Sequence, residues 1–293
     1  MFSWVLFTPS AWNTPVETFC VTFLKFSSYN DWNGTMVFDG NLITCLERPW
    51  YYLFVWLGIS IPLPYHILFL MGHVYIVPIF LKSQSKWRNI FYDYKWLMCS
   101  LMFFWGAIGA VIILNSRIYV EWRHMYFIFV PFCCIVVYGL EYLFKLIDKK
   151  VILVFGFICL GVQICWIIKN HPYQYVYFNA IGKHLASRFD RDSWRVANYN
   201  MLKWLTGHEN GMISVYFDGY GLELLDSESG ERIERINDPT KKTEYVIENY
   251  RNIIGNTVEY ETYEEIYTIW VDDFKIGSIF HRIEDSDFLN GVR

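Results

Sequence analysis

Charged and aromatic side chains alternate in one short stretch between two apolar segments. That stretch reads Arg117-Ile-Tyr119-Val-Glu121-Trp122-Arg123-His124. An arginine guanidinium presents a planar set of donors that matches phosphate oxygens, and an anion is favoured at a helix N-terminus. Arg123, His124 and Arg117 are therefore candidate ligands for a phosphate group. The two arginines could equally be interfacial anchors that pair with Glu121, and the chemistry alone leaves both interpretations open.

A second cluster of polar and aromatic residues follows the last apolar segment. Its residues are Asn170-His171-Pro172-Tyr173-Gln174-Tyr175-Val176-Tyr177-Phe178-Asn179. Such a segment could be an aromatic belt at a membrane surface, or the wall of a cavity for a lipid-linked substrate. The candidate wall residues are Trp122, Tyr126, His171, Tyr173, Tyr175, Asn179 and Arg48.

The elements that position these residues follow from composition. The chain has 293 residues, of which 54% are hydrophobic and only 18% charged, so disorder is excluded and a single water-soluble domain is not expected. Four stretches have the length and apolarity of bilayer-crossing helices. They cover about residues 52–81, 96–114, 125–146 and 151–168. The first contains Pro62, Pro64 and Pro78, which predict one tilted, bent helix.

The basic residues predict how these helices are oriented. Lys82, Lys86 and Arg88 follow the first helix, and Lys145, Lys149 and Lys150 follow the third, so both loops are expected on the cytoplasmic side. Residues 1–49, the loop between the second and third helices, and residues 170–293 then lie outside. We expect an external interfacial segment over 1–49, a transmembrane domain over 50–169 and an external cap over 170–293.

The C-terminal part has a different character. Residues 169–293 carry 14 Lys or Arg and 21 Asp or Glu, whereas residues 1–168 carry 11 and 8. Helical spacing of apolar residues predicts a helix within 171–205, and short strands are predicted at 212–217, 244–248 and 265–271, the last forming a hairpin with 275–283. The acidic balance argues against nucleic acid as a partner, and no His or Cys spacing indicates a metal site. The seven cysteines lie within the first 168 residues and suit apolar packing.

The predicted fold is therefore an α-helical polytopic membrane protein. It has about four transmembrane helices, interfacial N-terminal helices and a small external α/β domain at the C-terminus.

An ordered series of residues resembles a known family. The series resembles the C-terminal half of GT-C superfamily glycosyltransferases, close to the protein O-mannosyltransferase-like, aminoarabinose-transferase-like and RgtA/B/C/D-like bacterial membrane proteins. The matching residues, in order, are Trp32-Asn-Gly34, Phe38-Asp39-Gly40, Arg48-Pro49-Trp50-Tyr51-Tyr52, Pro62, Gly72, Glu121-Trp122-Arg123-His124-Met125-Tyr126-Phe127, His171-Pro172-Tyr173-x-Tyr175-x-Tyr177-Phe178-Asn179, Asp192-Ser-Trp194 and Trp204-Leu205.

This resemblance implies a membrane enzyme of the bacterial cell envelope that uses a polyprenyl-phosphate-linked sugar as donor. It implies plasma-membrane localisation, chemistry on the external face, and Arg123 and His124 at the donor phosphate. Whether a divalent metal takes part is left open. In this family the catalytic carboxylate lies in the first external loop, which has no counterpart here. We therefore expect a truncated or split C-terminal portion that is inactive alone and works with an N-terminal companion chain.

Two other functions are compatible with the sequence. The chain could be a non-catalytic membrane protein whose external domain binds a glycan or a partner protein. A small transporter is the third alternative, but it predicts paired half-repeats that the sequence lacks.

Overall fold

The computed structural model describes residues 8–27, 33–82, 92–238 and 243–283. The N-terminal part contains helix α1 (Pro15–Ser27) and a hairpin of strands β1 (Thr35–Phe38) and β2 (Asn41–Thr44). The two-residue turn of this hairpin is Asp39-Gly40, and both residues have positive φ (51° and 76°). Such backbone angles match the twist of a tight hairpin. Sequence reasoning had expected only an interfacial segment here.

The first predicted apolar helix is two helices. Helix α2 (Tyr52–Ser60) ends before Pro62, and helix α3 (Leu63–Lys82) begins after it. The prediction of one bent helix over 52–81 was therefore wrong, because Pro62 lacks the N–H that a continuous helix needs. The carbonyl groups freed by the break are bonded from outside. The Asn179 Nδ2 donates to the carbonyls of Gly58 and Ile61, and the Asn179 backbone N–H donates to that of Ile59.

Three of the described helical stretches are long and apolar enough to cross a membrane. They are helix α4 (Lys95–Ile113), a 3₁₀ turn (Arg123–Ile128) that continues into helix α5 (Phe129–Leu146), and helix α6 (Lys149–Lys169). These match the second, third and fourth predicted helices, so the count of four falls to three plus the broken first segment.

Helices α3 and α5 cross at two glycines. A Cβ on Gly139 would lie 1.8 Å from the Leu68 carbonyl oxygen, and one on Gly72 would lie 2.2 Å from that of Ile135. The two backbones therefore touch, as small residues allow in helix pairs within membranes. Helix α4 joins the pair through rings, with Phe69 stacked 4.7 Å from Phe132 and 5.0 Å from Phe104.

The charges in α5 are bonded to each other. Lys145 Nζ lies 3.0 Å from Glu141 Oε1, and both side chains hydrogen-bond the Tyr75 hydroxyl of α3. This arrangement explains how an otherwise apolar helix accommodates two charged residues.

The C-terminal part is a five-stranded sheet with one long helix against it. The strands are β3 (Ile213–Phe217), β4 (Ile233–Ile236), β5 (Tyr245–Asn249), β6 (Tyr263–Val271) and β7 (Phe274–Arg282). Their order is β4-β3-β5-β7-β6; β3 is parallel to β4 and β5, and β7 is antiparallel to β5 and β6. The predicted strands and the hairpin at Asp272-Asp273 are confirmed. Helix α8 (Ser227–Glu231) and β4 lie where the sequence predicted no helix or strand.

The predicted helix over 171–205 is largely absent. Residues 171–196 form turns and short 3₁₀ segments, and helix α7 covers only Ala197–His208. Helix α7 packs on the sheet at Gly277 of β7, where an added Cβ would lie 2.7 Å from the Met201 Cε. The long segment before it instead connects the apolar helices to the sheet.

Candidate functional site

The stretch 114–122 is a partly buried connection between α4 and the 3₁₀ turn. Ile118 and Val120 are buried, and the Trp122 Nε1 donates to the Ser60 Oγ of α2 at 2.9 Å. Glu121 has a φ of 64°, the left-handed region that non-glycine residues rarely adopt. This connection fixes Glu121 and Arg123 where α5 meets the C-terminal domain.

Arg123 is held by aromatic rings. Its guanidinium carbon lies 5.1 Å from the Tyr119 ring centroid and 4.7 Å from that of Trp194, whose ring is 60% exposed. Such cation–π contacts position an arginine without neutralising it. Among the described residues no carboxylate lies within ion-pair distance of Arg123, and its Nε is buried without a hydrogen-bond partner.

Glu121 lies beside Arg123 and contacts the segment that leads into α7. Its Oε1 accepts a hydrogen bond from the Ser193 Oγ at 3.0 Å. Burial raises the pKa of the Glu121 carboxyl to about 7, while the Ser193 hydroxyl and the Arg123 charge lower it and the Asp190 charge raises it. The group therefore changes its charge near neutral pH.

Arg195 and Asp218 form an ion pair at the end of β3. Arg195 has a φ of 56°, and Gly219 has a φ of 93°. The Arg195 side chain crosses Gly219 so closely that a Cβ there would lie 2.0 Å from the Arg195 Cδ. Only glycine fits at this position, so the turn after β3 is shaped around the arginine.

Arg251 follows β5 and faces the same region. Burial lowers the pKa of its guanidinium; the Arg195 cation lowers it further, Asp190 and Asp218 raise it, and Arg123 again lowers it. These influences place six charged groups close together, between the start of the 3₁₀ turn that leads into α5 and the sheet. We call this set the junction cluster, and its members are Glu121, Arg123, Asp190, Arg195, Asp218 and Arg251.

The acids next to Arg191 have structural roles. Both Asp192 carboxylate oxygens accept backbone N–H groups at the start of α7, from Val196 and Ala197, each at 2.9 Å. Asp190 Oδ1 accepts the Asn252 N–H at 2.7 Å. Burial is the main cause that raises the pKa of each of these two carboxyls to about 6.

The other two predicted phosphate ligands, His124 and Arg117, contact different parts of the chain. The exposed His124 ring packs on Tyr119, with centroids 3.9 Å apart. Arg117 donates to the Asn33 Oδ1 of the N-terminal segment. The structure therefore brings Arg123 and His124 together on the Tyr119 ring, whereas Arg117 is bonded to the N-terminal segment.

Several predicted cavity-wall residues are packing residues in the structure. Asn179 is 1% exposed; its Nδ2 donates to two carbonyls and its Oδ1 accepts from Ile181 and Gly182, so its capacity for hydrogen bonds is used. Tyr173 is buried and its hydroxyl accepts a bond from Asn200.

The remaining wall candidates differ in exposure. His171 is exposed and bonds Gln174, and Tyr126 is exposed against the Trp122 ring. The Tyr175 hydroxyl is buried and has no partner among the described residues.

Arg48 lines a small pocket between the start of α2 and the end of α4. It donates to the carbonyls of Cys45 and Ser116 and lies over the Tyr52 ring. The pocket has a volume of about 120 Å³, which is below the several hundred Å³ typical of a site for a whole sugar or nucleotide. The lining residues are Arg48, Pro49, Trp50, Tyr52, Leu53, Val111, Ile112 and Asn115.

Within the described ranges, no group of three His, Cys, Asp or Glu side chains is arranged to hold a metal ion. Comparison of the chain with family models, with curated proteins and with solved structures found no match.

The sequence analysis did not identify Arg251 or Arg195 as site residues, and it placed residue 195 only within the predicted helix over 171–205. Arg251 follows a short apolar strand without any local motif. Only the strand order, with β5 beside β3, places it next to Arg195 and Asp218.

Proposed function

We propose that this chain supplies the donor-binding side of an integral-membrane glycosyltransferase that uses a polyprenyl-phosphate-linked sugar. In this reaction the bond between the sugar C1 and the phosphate oxygen breaks, and the phosphate leaves with the electron pair. A fixed cation beside the leaving oxygen stabilises the charge that develops there. Arg123 is the residue to which we assign this role.

The observation that supports the proposal most is the state of Arg123. This half-buried guanidinium has no ion pair or hydrogen bond among the described residues. Glu121 acts on Arg123 electrostatically but makes no ion pair with it, so the donors of the guanidinium are unused and a bound anion would accept from them.

The position of Arg123 favours a lipid as the carrier of that anion. Arg123 begins the apolar stretch Arg123–Leu146, which is long enough to cross a bilayer. A residue at the end of such a stretch lies at the depth of lipid headgroups. A polyprenyl phosphate brings its charge to this depth while its chain stays in the hydrocarbon, beside exposed apolar side chains such as Phe127 and Val130.

Binding to the chain in lipid nanodiscs tests the proposal. A polyprenyl phosphate is the probe, and the polyprenol without phosphate is its control. We expect the Arg123→Gln variant to bind the phosphate at least tenfold more weakly, because a charge-assisted contact contributes about 1.5–3 kcal/mol. Arg188→Gln is the matched control, since Arg188 pairs with Asp39 on the surface, where such pairs contribute little. Equal binding by wild type and Arg123→Gln would falsify the assignment.

A second function is favoured by the exposed ring of Trp194. This ring lies at the surface over Arg123, and aromatic faces beside polar groups also bind sugars. In a non-catalytic glycan-binding protein, Trp194→Ala would abolish binding of a free oligosaccharide, whereas polyprenyl phosphate would bind no better than polyprenol.

A further inference from the structure

The sheet of the C-terminal domain has a topological switch point. From β3 the chain passes through α8 to β4 on one side of β3, and then crosses to β5 on the other side. The three strands are parallel, so β3 and β5 end at the same edge. In open α/β sheets, ligands bind in the crevice outside the carboxyl ends of the strands where the order reverses.

Charged residues occupy this position. Asp218 directly follows β3, and Arg251 lies two residues after the end of β5. Arg195 reaches the same edge from the segment before α7 and pairs with Asp218. The Asn198 Nδ2 donates to the carbonyls of Asp218 and Tyr220, which fixes the turn after β3.

Arg251 makes no direct bond to a carboxylate at this edge. Its guanidinium makes no hydrogen bond and no ion pair with any described residue, and its Nε is buried. Asp218 pairs with Arg195, and Asp190 accepts the Asn252 N–H through Oδ1, while its buried Oδ2 has no hydrogen-bond partner among the described residues. Both carboxylates act on Arg251 electrostatically, but the donors of its guanidinium are unused.

Arg191 provides the contrast to Arg251. Arg191 is 1% exposed, and its two terminal nitrogens donate to the Asn256 side chain and to the carbonyls of Ile253, Gly255 and Lys275. The terminal nitrogens of Arg251 have no such partners among the described residues. The difference between the two arginines therefore lies in these terminal nitrogens, since the Nε of each is buried without a partner.

We infer that the carboxyl ends of β3 and β5 form an anion subsite in which Arg251 and Arg195 bind a phosphate group. Arg123 packs on the ring of Trp194, the residue directly before Arg195, so the sheet domain and the apolar helices could hold one phosphate-bearing ligand between them. This inference extends the proposed function by giving the C-terminal domain a direct part in ligand binding. The phosphate could be carried by a lipid or by a soluble sugar, and the two sources are separated experimentally.

The experiment uses the full chain in lipid nanodiscs and two probes, a polyprenyl phosphate in the bilayer and glucose 1-phosphate in solution. We expect Arg251→Gln to weaken binding of at least one probe tenfold or more, and Arg251→Lys to restore part of it because the charge returns without the planar fork. Arg188→Gln again serves as the control. If Arg251→Gln loses binding of the polyprenyl phosphate alone, the natural ligand carries a lipid phosphate. If it loses binding of glucose 1-phosphate, the natural ligand is soluble.

Failure of this inference can be told apart from failure of the proposed function. If Arg123→Gln loses polyprenyl phosphate and Arg251→Gln binds both probes as wild type does, the subsite is wrong and the proposed function stands. If Arg251→Gln loses binding only of glucose 1-phosphate and Arg123→Gln still binds polyprenyl phosphate as wild type does, the subsite stands. The proposal of a lipid-linked donor is then wrong.

A structural role for Arg251 is tested by thermal unfolding. Arg251 makes no hydrogen bond or ion pair with a described residue, and the two arginines near it offset the two carboxylates, so we expect Arg251→Gln to melt close to wild type. Arg191→Gln should melt clearly lower. A fall in the melting temperature of Arg251→Gln comparable to that of Arg191→Gln would overturn the subsite.

Discussion

Glu121 is the residue of the junction cluster whose charge changes closest to neutral pH. Its pKa is raised by burial from 4.5 to about 7, so the folded protein binds a proton that the unfolded chain releases between these values. Folding stability is therefore highest below pH 4.5 as far as this group is concerned, and it falls as the pH rises toward 7. Above about pH 7.5 the buried Glu121 carboxylate is charged in the folded protein, and the burial of this charge lowers the free energy of unfolding.

This gives a prediction for the Glu121→Gln variant. Between pH 6 and pH 8 the wild type should lose about 1 kcal/mol of stability, and less where water reaches the carboxylate, because the larger part of the total loss falls between pH 4.5 and pH 6. The variant should lose much less, because an amide does not ionise. The melting temperature in detergent, recorded across this range, measures the difference.

Glu234→Gln, an exposed change on β4, is the control and should follow the wild type. Asp190 and Asp192, whose pKa values are raised to about 6, act mainly below this range. A variant Glu121→Gln with the same pH slope as wild type would show that Glu121 is not the titrating group.

At the scale of elements, the crossing of α3 and α5 depends on glycine. Gly139→Ala would place a methyl group against the Leu68 carbonyl oxygen, which belongs to the backbone and cannot rotate away. We expect a loss of about 1–3 kcal/mol in the free energy of unfolding, or more if the helices separate. Thermal unfolding in detergent would measure it.

Helix α6 provides the matched control for this substitution. Nothing lies within 4 Å of a Cβ added to Gly156, so Gly156→Ala should leave stability unchanged or slightly higher through better helix propensity. Equal effects of the two substitutions would mean that α3 and α5 are not in backbone contact.

The elements that local sequence determines were predicted well. Alternating apolar residues marked β3, β5 and β6, and Asp272-Asp273 marked the turn before β7, because period and turn chemistry are local properties. Pro62 alone was not enough to predict the break between α2 and α3. It is completed by Asn179, 118 residues beyond Ile61, and no local pattern shows that this side chain will bond the freed carbonyls.

At the scale of the whole molecule, the sequence separated an apolar part from an acidic part but could not say how they meet. They meet through specific bonds: Trp166 at the end of α6 donates to Asp272 of the last hairpin at 2.9 Å, and Ser193 donates to Glu121. The Gly40 N–H also donates to the Arg188 carbonyl, which joins the N-terminal hairpin to the same junction. These contacts make the junction cluster a product of tertiary structure.

The same contacts constrain how the chain lies in a membrane. The turn before Arg123 touches the C-terminal domain, so residue 116 and residue 227 must be on one side if α4, α5 and α6 each cross. The distribution of Lys and Arg predicts that this side is external, and that Ser83, a position outside the described residues, is cytoplasmic.

In a cysteine-free background, Ser116→Cys and Ser227→Cys should react with a membrane-impermeant thiol reagent in intact cells. Ser83→Cys should react only after the membrane is opened. Labelling of Ser83→Cys together with protection of Ser227→Cys would invert the orientation and place the junction cluster on the cytoplasmic face. Labelling of only one of positions 116 and 227 would contradict the contacts that join the two parts of the chain.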